Sequence, residues 1–400
     1  MTSTIEQRWN GWGDKDTYIH LSSGAKKLLE QKIGPGTPRK DYPVEKLLHR
    51  VPDSRLPDHH LISKRPEDRL IHAHGQSLPD WIALRGGSLS RFPDGVAFPD
   101  SRSLIREILF FAAENEIILI PYGGGTSVVG HLSVPEGRRP VLSVSLERFD
   151  KIVDFNPYSR LATFQSGIKG PDLEAYLNKR GFTLGHYPQS FEFSTLGGWV
   201  ATRSAGQQSL KYGRIEQLFA GGEIMTPRGD LEFSPFPASA AGPDLRQFCL
   251  GSEGRLGLIT HVTVRISPVA ARDDFYGIFF PDWQIATEAA RKLAREGVGL
   301  SMVRLSSPAE TEVNLTLASH DRLMGLLKKY LGLRQVRPEK MCMCLLGITG
   351  SSDEVRFSKR KIFSVIRRFK GVSAGKIMGR AWKKERFRAP YLRNTLWDMG

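Results

Sequence analysis

Three clusters of glycine and hydroxyl side chains carry the chemistry that can be read first in this sequence. Gly123-Gly124-Gly125-Thr126-Ser127 follows the apolar run at 117–120 after Pro121-Tyr122. Consecutive glycines let main-chain N–H groups approach an anion, and the two hydroxyls add donors, so the segment is a phosphate cradle in kind. It is not a P-loop, because no Lys-Ser/Thr follows, and not a Rossmann GxGxxG, because Ser-Val-Val after it reads as extended chain. Alone, it is explained equally well as a glycine turn between strands. A second run, at 194–206, again strings together small residues and hydroxyls, and a third, at 251–259, does so before a strand. Three such loops in one domain point to a long ligand enveloped along its length. A diphosphate dinucleotide fits that better than a mononucleotide.

Other reactive residue types offer less. Cys249, Cys342 and Cys344 are too few for a disulfide framework, and Cys342-Met-Cys344 lacks both CxxC spacing and nearby histidines, so they read as small core hydrophobes. His59-His60 and His72-x-His74 have no accompanying ligand pattern, and no metal site is expected. The net charge of +15 is concentrated between 354 and 393, where fourteen Lys/Arg stand against two acids. Such a run fits nucleic acid, an anionic membrane or a phosphorylated substrate. It also fits a solvated helix face, since apolar residues recur at helical spacing within it. With no RNP motif, zinc finger or heptad beside it, nucleic acid is not expected as a partner.

The elements that must position the loops follow from the pattern. Residues 1–90 read as a helical preface, with helices near 24–31 and 44–51. Over 91–270 the texture is α+β: strands at 95–98, 117–120, 141–145, 151–155, 161–165, 223–225 and 259–266, a serine-capped helix at 103–115 and another at 170–180. From 271 to 400 strands at 274–280, 299–305 and 341–348 alternate with helices at 282–296, 321–330 and 353–369, a β-α-β-β-α order that resembles a ferredoxin-like layer needing cover on its open face. A last helix begins near 389 with Tyr391, Leu392, Leu396 and Trp397 as its apolar positions, and its lack of a packing partner reads as a truncated C-terminus. No apolar run approaches the roughly 20 residues of a membrane span. The first eight residues show no secretory pattern, and a cytoplasmic protein, peripheral to a membrane, is expected.

Taken together, "PYGGGTS" at 121–127, "FSTLGGWVATRSAG" at 193–206, "YGRIEQL" at 212–218, "MTPRGDLE" at 225–232 and "GSEGRLGLIT" at 251–260 resemble the FAD-binding domain of the vanillyl-alcohol oxidase type. More narrowly, "RWNGWGDKD" at 8–16, "HAHGQSL" at 72–78 and "GHYPQSFEFSTLGGWVATR" at 185–203 resemble the alkyldihydroxyacetonephosphate synthase family. The resemblance implies an α+β fold with a two-subdomain FAD-binding domain of that type, a helical N-terminal preface and an incomplete ferredoxin-like cap domain. It implies FAD held without a covalent bond, although His131 stands near a position that carries a flavin link in distant relatives. By motif match Pro121, Tyr122, Gly123, Gly124, Gly125, Thr126 and Ser127 would cradle the pyrophosphate. Gln189, Ser190, Phe191, Glu192, Phe193, Ser194 and Thr195, with Thr202, Arg203, Ser204 and Ala205, would line the ribityl chain and flavin, Gln189 standing where the family more often has Asp. Glu253, Gly254, Arg255, Leu256, Gly257, Leu258 and Ile259 would complete the site, and His186 belongs to the flavin-side motif.

In that family the acyl chain of acyl-dihydroxyacetonephosphate is exchanged for a fatty alcohol, through an adduct at flavin N5 and with no net redox change. Such chemistry needs oxidised flavin, a base and cations for the phosphate. Arg304 matches a family active-site arginine and Arg393 the arginine assigned to the substrate phosphate, a role suited to the guanidinium fork. The family's catalytic tyrosine and histidine-rich segment lie further toward the C-terminus than residue 400, so the resemblance implies a cofactor site without the whole catalytic set. The resemblance implies acyl-dihydroxyacetonephosphate and a fatty alcohol as partners; the basic run at 354–393 adds an anionic membrane surface, and a second copy of the chain is also expected. Two alternatives remain open: an FAD-dependent dehydrogenase or oxidase of a 2-hydroxy acid such as lactate or glycolate, and a non-catalytic flavoprotein.

Overall fold

The computed structural model describes residues 7–237, 240–296, 299–318 and 321–400, so the reading of the first residues as leaderless falls mostly outside it. The chain divides into two compact units. The first comprises residues 7–17, Lys40–Gly206 and Gly213–Pro268, and the second Tyr18–Arg39, Gln207–Tyr212 and Val269–Gly400. The N-terminal ninety residues are thus shared between them.

In the first unit, β1 (Ile62–Ser63), β2 (Gly95–Ala97), β3 (Ile118–Tyr122) and β4 (Val141–Ser145) form a sheet in the order β1-β2-β4-β3. β4 runs parallel to both β2 and β3 and is buried over all five residues, as expected of a strand covered on two faces. The crossover from β2 to β3 is the helix Arg102–Glu114. Its Ile105, Ile108, Leu109 and Ala112 repeat at helical spacing and pack with Leu142 and Val144 of β4. The pattern predicts a serine side-chain cap for this helix; Ser101 does stand at the N-cap, but it makes no capping hydrogen bond. Asp94 fixes the start of both inner strands: it accepts from the Arg55 guanidinium at 2.8 and 2.7 Å and from the Val141 N–H at 2.8 Å. Burial would raise its pKa, but the Arg55 fork and the main-chain donors outweigh that and hold the carboxyl below its ordinary range.

A second, fully antiparallel sheet follows, built from β5 (Ile152–Asn156), β6 (Leu161–Gln165), β8 (Phe219–Thr226), β9 (Gly229–Phe233) and β10 (Leu258–Arg265), while β7 (Phe182–Thr183) pairs with β11 (Ser267–Pro268). The order is β5-β6-β10-β8-β9. β8 extends beyond the expected 223–225, because Gly221 and Gly222 read as punctuation yet lie within the strand, where a Cβ on Gly222 would strike the His261 carbonyl.

In the second unit, β12 (Arg272–Phe280), β13 (Leu300–Leu305), β14 (Cys342–Gly350) and β15 (Val372–Ser373) make an antiparallel sheet in the order β13-β14-β12-β15. The expected β-α-β-β-α pattern therefore gains its sixth element in β15, with the expected helix Asp321–Leu333 and one further helix, Pro308–Ala318, inserted between β13 and β14. Alternation along the strands supplies two faces. Tyr276, Ile278, Phe280, Cys342, Cys344, Leu346 and Ile348 pack against the helices Trp283–Arg295 and Ser352–Arg368. Phe279 and Met343 face Leu315 and Leu331 of the inserted pair, and Phe275, Met302 and Leu345 meet Trp382 of the helix Ile377–Glu385. All three cysteines are free and buried, and burial pushes the thiols of Cys249 and Cys344 up to about 12 and that of Cys342 to about 11, which suits inert core residues. Among the described residues no helix is long and apolar enough to cross a membrane.

Candidate functional site

Three backbone segments of the first unit enclose a cavity of about 490 Å³ beside the end of β3. The first leaves β3 at Tyr122, whose carbonyl accepts from Leu146 N–H at 2.9 Å, and turns through 123–127. Gly125 takes a left-handed φ, and a Cβ on Gly124 would collide with the backbone carbonyl of Phe193. The bare backbone is thus required by the neighbouring chain as well as by whatever enters the cavity. Behind the loop, Gln76 N–H donates to Ser127 O at 2.6 Å, and the His72 ring packs on Tyr122 with centroids 4.2 Å apart.

The second segment is a loop only as far as Thr195. From Leu196 to Thr202 it is a helix, a correction to the reading of 194–206 as one glycine loop. Gly197 and Gly198 argue against a helix on propensity, but here packing decides. Gly197 N–H donates to Ser166 O at 2.7 Å, and a Cβ on Gly197 would stand 2.6 Å from that of Ser166. Thr195 caps the helix by accepting from Gly198 N–H at 3.3 Å, and the Trp199 indole donates to Ser194 Oγ at 2.7 Å.

The third segment is tied to that helix: Gly251 N–H donates to Val200 O at 3.0 Å and Glu253 N–H to Ala201 O at 2.9 Å. Glu253 and Gly254 are successive residues with left-handed φ. For Glu253 this is an uncommon conformation that the surrounding bonds must hold. His131 joins the first and third segments, with Ser127 Oγ 3.1 Å from Nδ1 and Glu253 Oε1 3.1 Å from Nε2. Both ring nitrogens are therefore engaged by protein groups.

His131 and Glu253 are the only Asp, Glu, Lys, Arg or His side chains among the described residues that line it. With no lysine or arginine among the described lining residues, an anion in this cavity would have to be met by main-chain N–H groups and hydroxyls. Ser166 Oγ, buried and without a partner among the described residues, lines the cavity as a polar group for a ligand to satisfy. Ser204 lines it too, and behind Ser204 lies His186, fully buried, with Nε2 2.6 Å from the Ser204 oxygen. Burial depresses the His186 pKa to about 3, so the ring is neutral at physiological pH. With Nδ1 buried and unpartnered among the described residues, the arrangement in which Nε2–H donates to Ser204 leaves the serine hydroxyl free to donate into the cavity.

The sequence-predicted residues divide accordingly. All seven from Pro121 to Ser127 line the cavity, as do Ser190, Ser194, Thr195, Thr202, Ser204, Glu253, Gly254, Gly257 and Ile259. Gln189, Phe191, Glu192, Phe193, Arg203, Ala205, Arg255, Leu256 and Leu258 lie outside the lining. Of these, Phe191 stacks on Trp199, Phe193 meets Trp12 edge-on, and Leu258 is in the core. Arg203 ends the second-segment helix in a left-handed conformation, its guanidinium donating to Leu250 O, while Ala205, Arg255 and Leu256 are exposed. Gln189 and Glu192 are engaged elsewhere. Lining residues that sequence reasoning missed include Leu132, Leu146 and Ser166, which carry no local signal, and Val128 and Val129, an exposed apolar pair.

The two arginines belong to the second unit. Arg304 projects from β13, half exposed, with Nη2 3.4 Å from Glu310 Oε1. Arg393 is partly buried on the helix Leu392–Met399, and desolvation lowers its pKa.

Comparison with known proteins bears on this arrangement. A model of the FAD binding domain matches residues 93–233, and one of the C-terminal domain of FAD linked oxidases matches 270–399. The chain is 30% identical over 433 residues to the alkyldihydroxyacetonephosphate synthase of Dictyostelium discoideum, covering 98% of this chain and 71% of that protein. It is 31% identical over 424 residues to the Caenorhabditis elegans synthase, covering 97% and 71%. A solved structure of an alkyldihydroxyacetonephosphate synthase superposes with a TM-score of 0.87 at 27% identity over 98% of this chain and 79% of that one. Similarity to the mitochondrial D-lactate dehydrogenase (cytochrome) of Arabidopsis thaliana, at 31% identity, extends over 53% of this chain and 37% of that protein.

Proposed function

The chain belongs to the alkyldihydroxyacetonephosphate synthase family of FAD-dependent enzymes, and on that premise we propose that its cavity holds FAD non-covalently for exchange of the acyl chain of acyl-dihydroxyacetonephosphate for a fatty alcohol. The observation that carries the site assignment is the convergence of the three segments on one cavity lined by glycines and by serine and threonine side chains. Gly123 to Ser127 and the turn at Glu253-Gly254 would cradle the diphosphate. Ser166, Thr195 and Ser204 would offer hydrogen bonds along the rest of the cofactor. Bound there, FAD supplies an electron-accepting ring system for carbon chemistry next to a carbonyl. The pairing of both His131 nitrogens within the protein supports attachment without a covalent bond.

Arg304 and Arg393 are the groups we assign to the substrate phosphate. Arg304 suits the role because its partner Glu310 is exposed and 3.4 Å away. An exposed pair of this kind is worth only about 0–1 kcal/mol and is readily exchanged for a phosphate. Contact with an anionic membrane is a further part of the proposal. It is supported by the outward face of Ser352–Arg368, where Arg356, Lys359, Arg360, Lys361, Arg367 and Arg368 are exposed opposite the buried Val355, Ile362 and Ile366. Lys383 and Lys376 are poorer choices for a lipid-facing role because they pair with Asp273 and Asp274. Unchanged binding to anionic liposomes after R360Q, R367Q and R368Q together would remove that part.

The absorption spectrum of the purified protein before and after acid precipitation tests the cofactor reading. A flavin band that passes into the supernatant is the expected result; a band that stays with the precipitate refutes non-covalent binding, and no flavin, even after incubation with FAD, refutes the site. Addition of acyl-dihydroxyacetonephosphate and of D-lactate to the flavin-loaded protein then separates the reactions. A spectral change with the first alone supports the synthase reading, and bleaching by lactate alone overturns it.

A further inference from the structure

His59 and His60 carry no metal pattern in sequence, yet the fold brings both to the same carboxylate. Nε2 of His59 and Nε2 of His60 each lie 3.4 Å from Oε1 of Glu107, which is carried by the crossover helix Arg102–Glu114. The three ligand atoms fall within 4.8 Å of one another. The separation is informative. A hydrogen bond between an imidazole N–H and a carboxylate would close to about 2.7–2.9 Å. Around a tetrahedral ion, bonds of about 2.0–2.1 Å hold neighbouring ligand atoms about 3.3–3.4 Å apart. His59 is held in place, largely buried against Phe111 with centroids 4.4 Å apart, while the exposed His60 ring stacks on it at 4.9 Å and is free to turn so that both Nε2 lone pairs meet one ion.

We propose that His59, His60 and Glu107 form a binding site for a first-row transition ion, with Zn²⁺ the best match. Two imidazoles and one carboxylate are a borderline donor set that suits zinc rather than calcium or magnesium, and three protein ligands leave one tetrahedral position for water. The site is separate from the cofactor cavity, since none of the three residues lines it. One contact is exchanged on binding. Leu61 N–H points at His59 Nδ1 at 3.3 Å. Ligation through Nε2 leaves the ring proton on Nδ1, so that long hydrogen bond is given up. Binding would tie the turn that leads into β1 to the helix that delivers β3 and the first glycine segment, so the ion acts on stability rather than on chemistry.

The test uses the full-length, flavin-loaded protein stripped of metal with a chelator, titrated with Zn²⁺ by calorimetry and with Co²⁺ by its visible ligand-field band beyond the flavin absorption. The expected result is one ion per chain, a Co²⁺ band characteristic of tetrahedral coordination, a thermal midpoint raised by Zn²⁺, and a flavin spectrum unchanged by either metal. His60→Gln and Glu107→Gln, both at solvent-accessible positions and each checked for native circular dichroism, should weaken binding roughly tenfold or more, since even removal of an outer-shell partner costs about 10–100-fold. They should also abolish the Zn²⁺-dependent rise in thermal midpoint. Absence of saturable binding in the parent overturns the proposal, and so does equal affinity in both variants.

Discussion

Gly124→Ala tests whether the first and second segments must touch. A Cβ at position 124 would lie far inside the 3.0 Å approach that Cβ atoms essentially never breach, and what it meets is the backbone carbonyl of Phe193 rather than a side chain that can swing away. The two segments must therefore separate by about 1 Å or more, because a close-packed interior has no slack to absorb the methyl group. Two costs follow. Overpacking of this kind destabilises the apo-protein by about 1–3 kcal/mol. Opening the cradle also stretches the N–H contacts to the diphosphate, and since hydrogen bonds to charged groups contribute about 1.5–3 kcal/mol each, loss of one or two weakens FAD by roughly 10²-fold. FAD titration of the deflavinated variant by flavin fluorescence measures the second cost, and urea unfolding without cofactor measures the first. Gly332→Ala is the control. It lies in the helix Asp321–Leu333 with nothing within 4 Å of an added Cβ. It should therefore raise stability by roughly 0.5–1 kcal/mol and leave FAD affinity alone. If Gly124→Ala binds FAD as tightly as the parent, the glycine is not holding the two segments together and the reasoning fails.

Three further outcomes are expected. His72 and His186 are held neutral by burial, with pKa values lowered to about 4 and about 3, so between their ordinary value and these the unfolded chain binds protons that the folded chain does not. Their contribution is therefore complete above about pH 6.5 and is lost as the pH falls; each ring removes about 1.4 kcal/mol between about pH 7.5 and 5.5, and urea midpoints for His186→Asn should show a smaller loss across that window than the parent by one ring's share. Ser204→Ala deletes a donor facing the cavity. It should weaken FAD by about 0.5–1.5 kcal/mol, roughly 2- to 13-fold, and lower the apo-protein's stability by about 1–3 kcal/mol because the buried His186 Nε2–H loses its partner; a stability loss with unaltered FAD affinity would leave the His186–Ser204 bond a purely structural one. Because neither lysine nor arginine is among the described residues that line the cavity, FAD affinity should vary by less than about threefold between low and high salt, and a steep salt dependence would mean that cations outside that lining hold the diphosphate.

Much of the frame is legible because short apolar strands flanked by turn residues leave few alternatives. The strands 141–145 and 161–165 have the bounds that the pattern predicts, and the helix expected at 282–296 is within a residue of them, its apolar face of Ala286, Ala289 and Leu293 being regularly spaced. What escapes has specific causes. The hairpin β8–β9 is hidden because Pro227-Arg228-Gly229 reads as a motif before it reads as a turn between paired strands. Pro308–Ala318 alternates polar and apolar residues without a sustained face, and Ile377–Glu385 is submerged in the basic run although Met378 and Trp382, four apart, form its inward side. At the site, glycine and hydroxyl clusters mark the segments, but Ser166 and Leu146 enter from strand ends with no composition to flag them. The three-residue cluster around Glu107 is invisible for the same reason: its histidines and its carboxylate come from distant parts of the chain.

The distribution of charge joins these observations. A protein with a net charge of +15 that binds a diphosphate cofactor would be expected to spend cations on it, yet the cavity lining contains none except the histidine, and that residue is already held by Ser127 and Glu253. Fixed main-chain dipoles hold an anion without the rotamer entropy that ordering a long lysine or arginine side chain costs, about 1.5–2 kcal/mol each. A resident cofactor, bound once and retained, suits such a rigid and neutral cradle. A substrate that must enter and leave on every turnover is better met by groups that can exchange partners, and the loose, exposed pair Arg304–Glu310 has that character. Rigid neutral donors for the resident diphosphate and exchangeable guanidinium groups for a transient phosphate form a consistent division of labour, and the exposed basic face of Ser352–Arg368 is the part of the excess charge that we propose acts at longer range on an anionic surface.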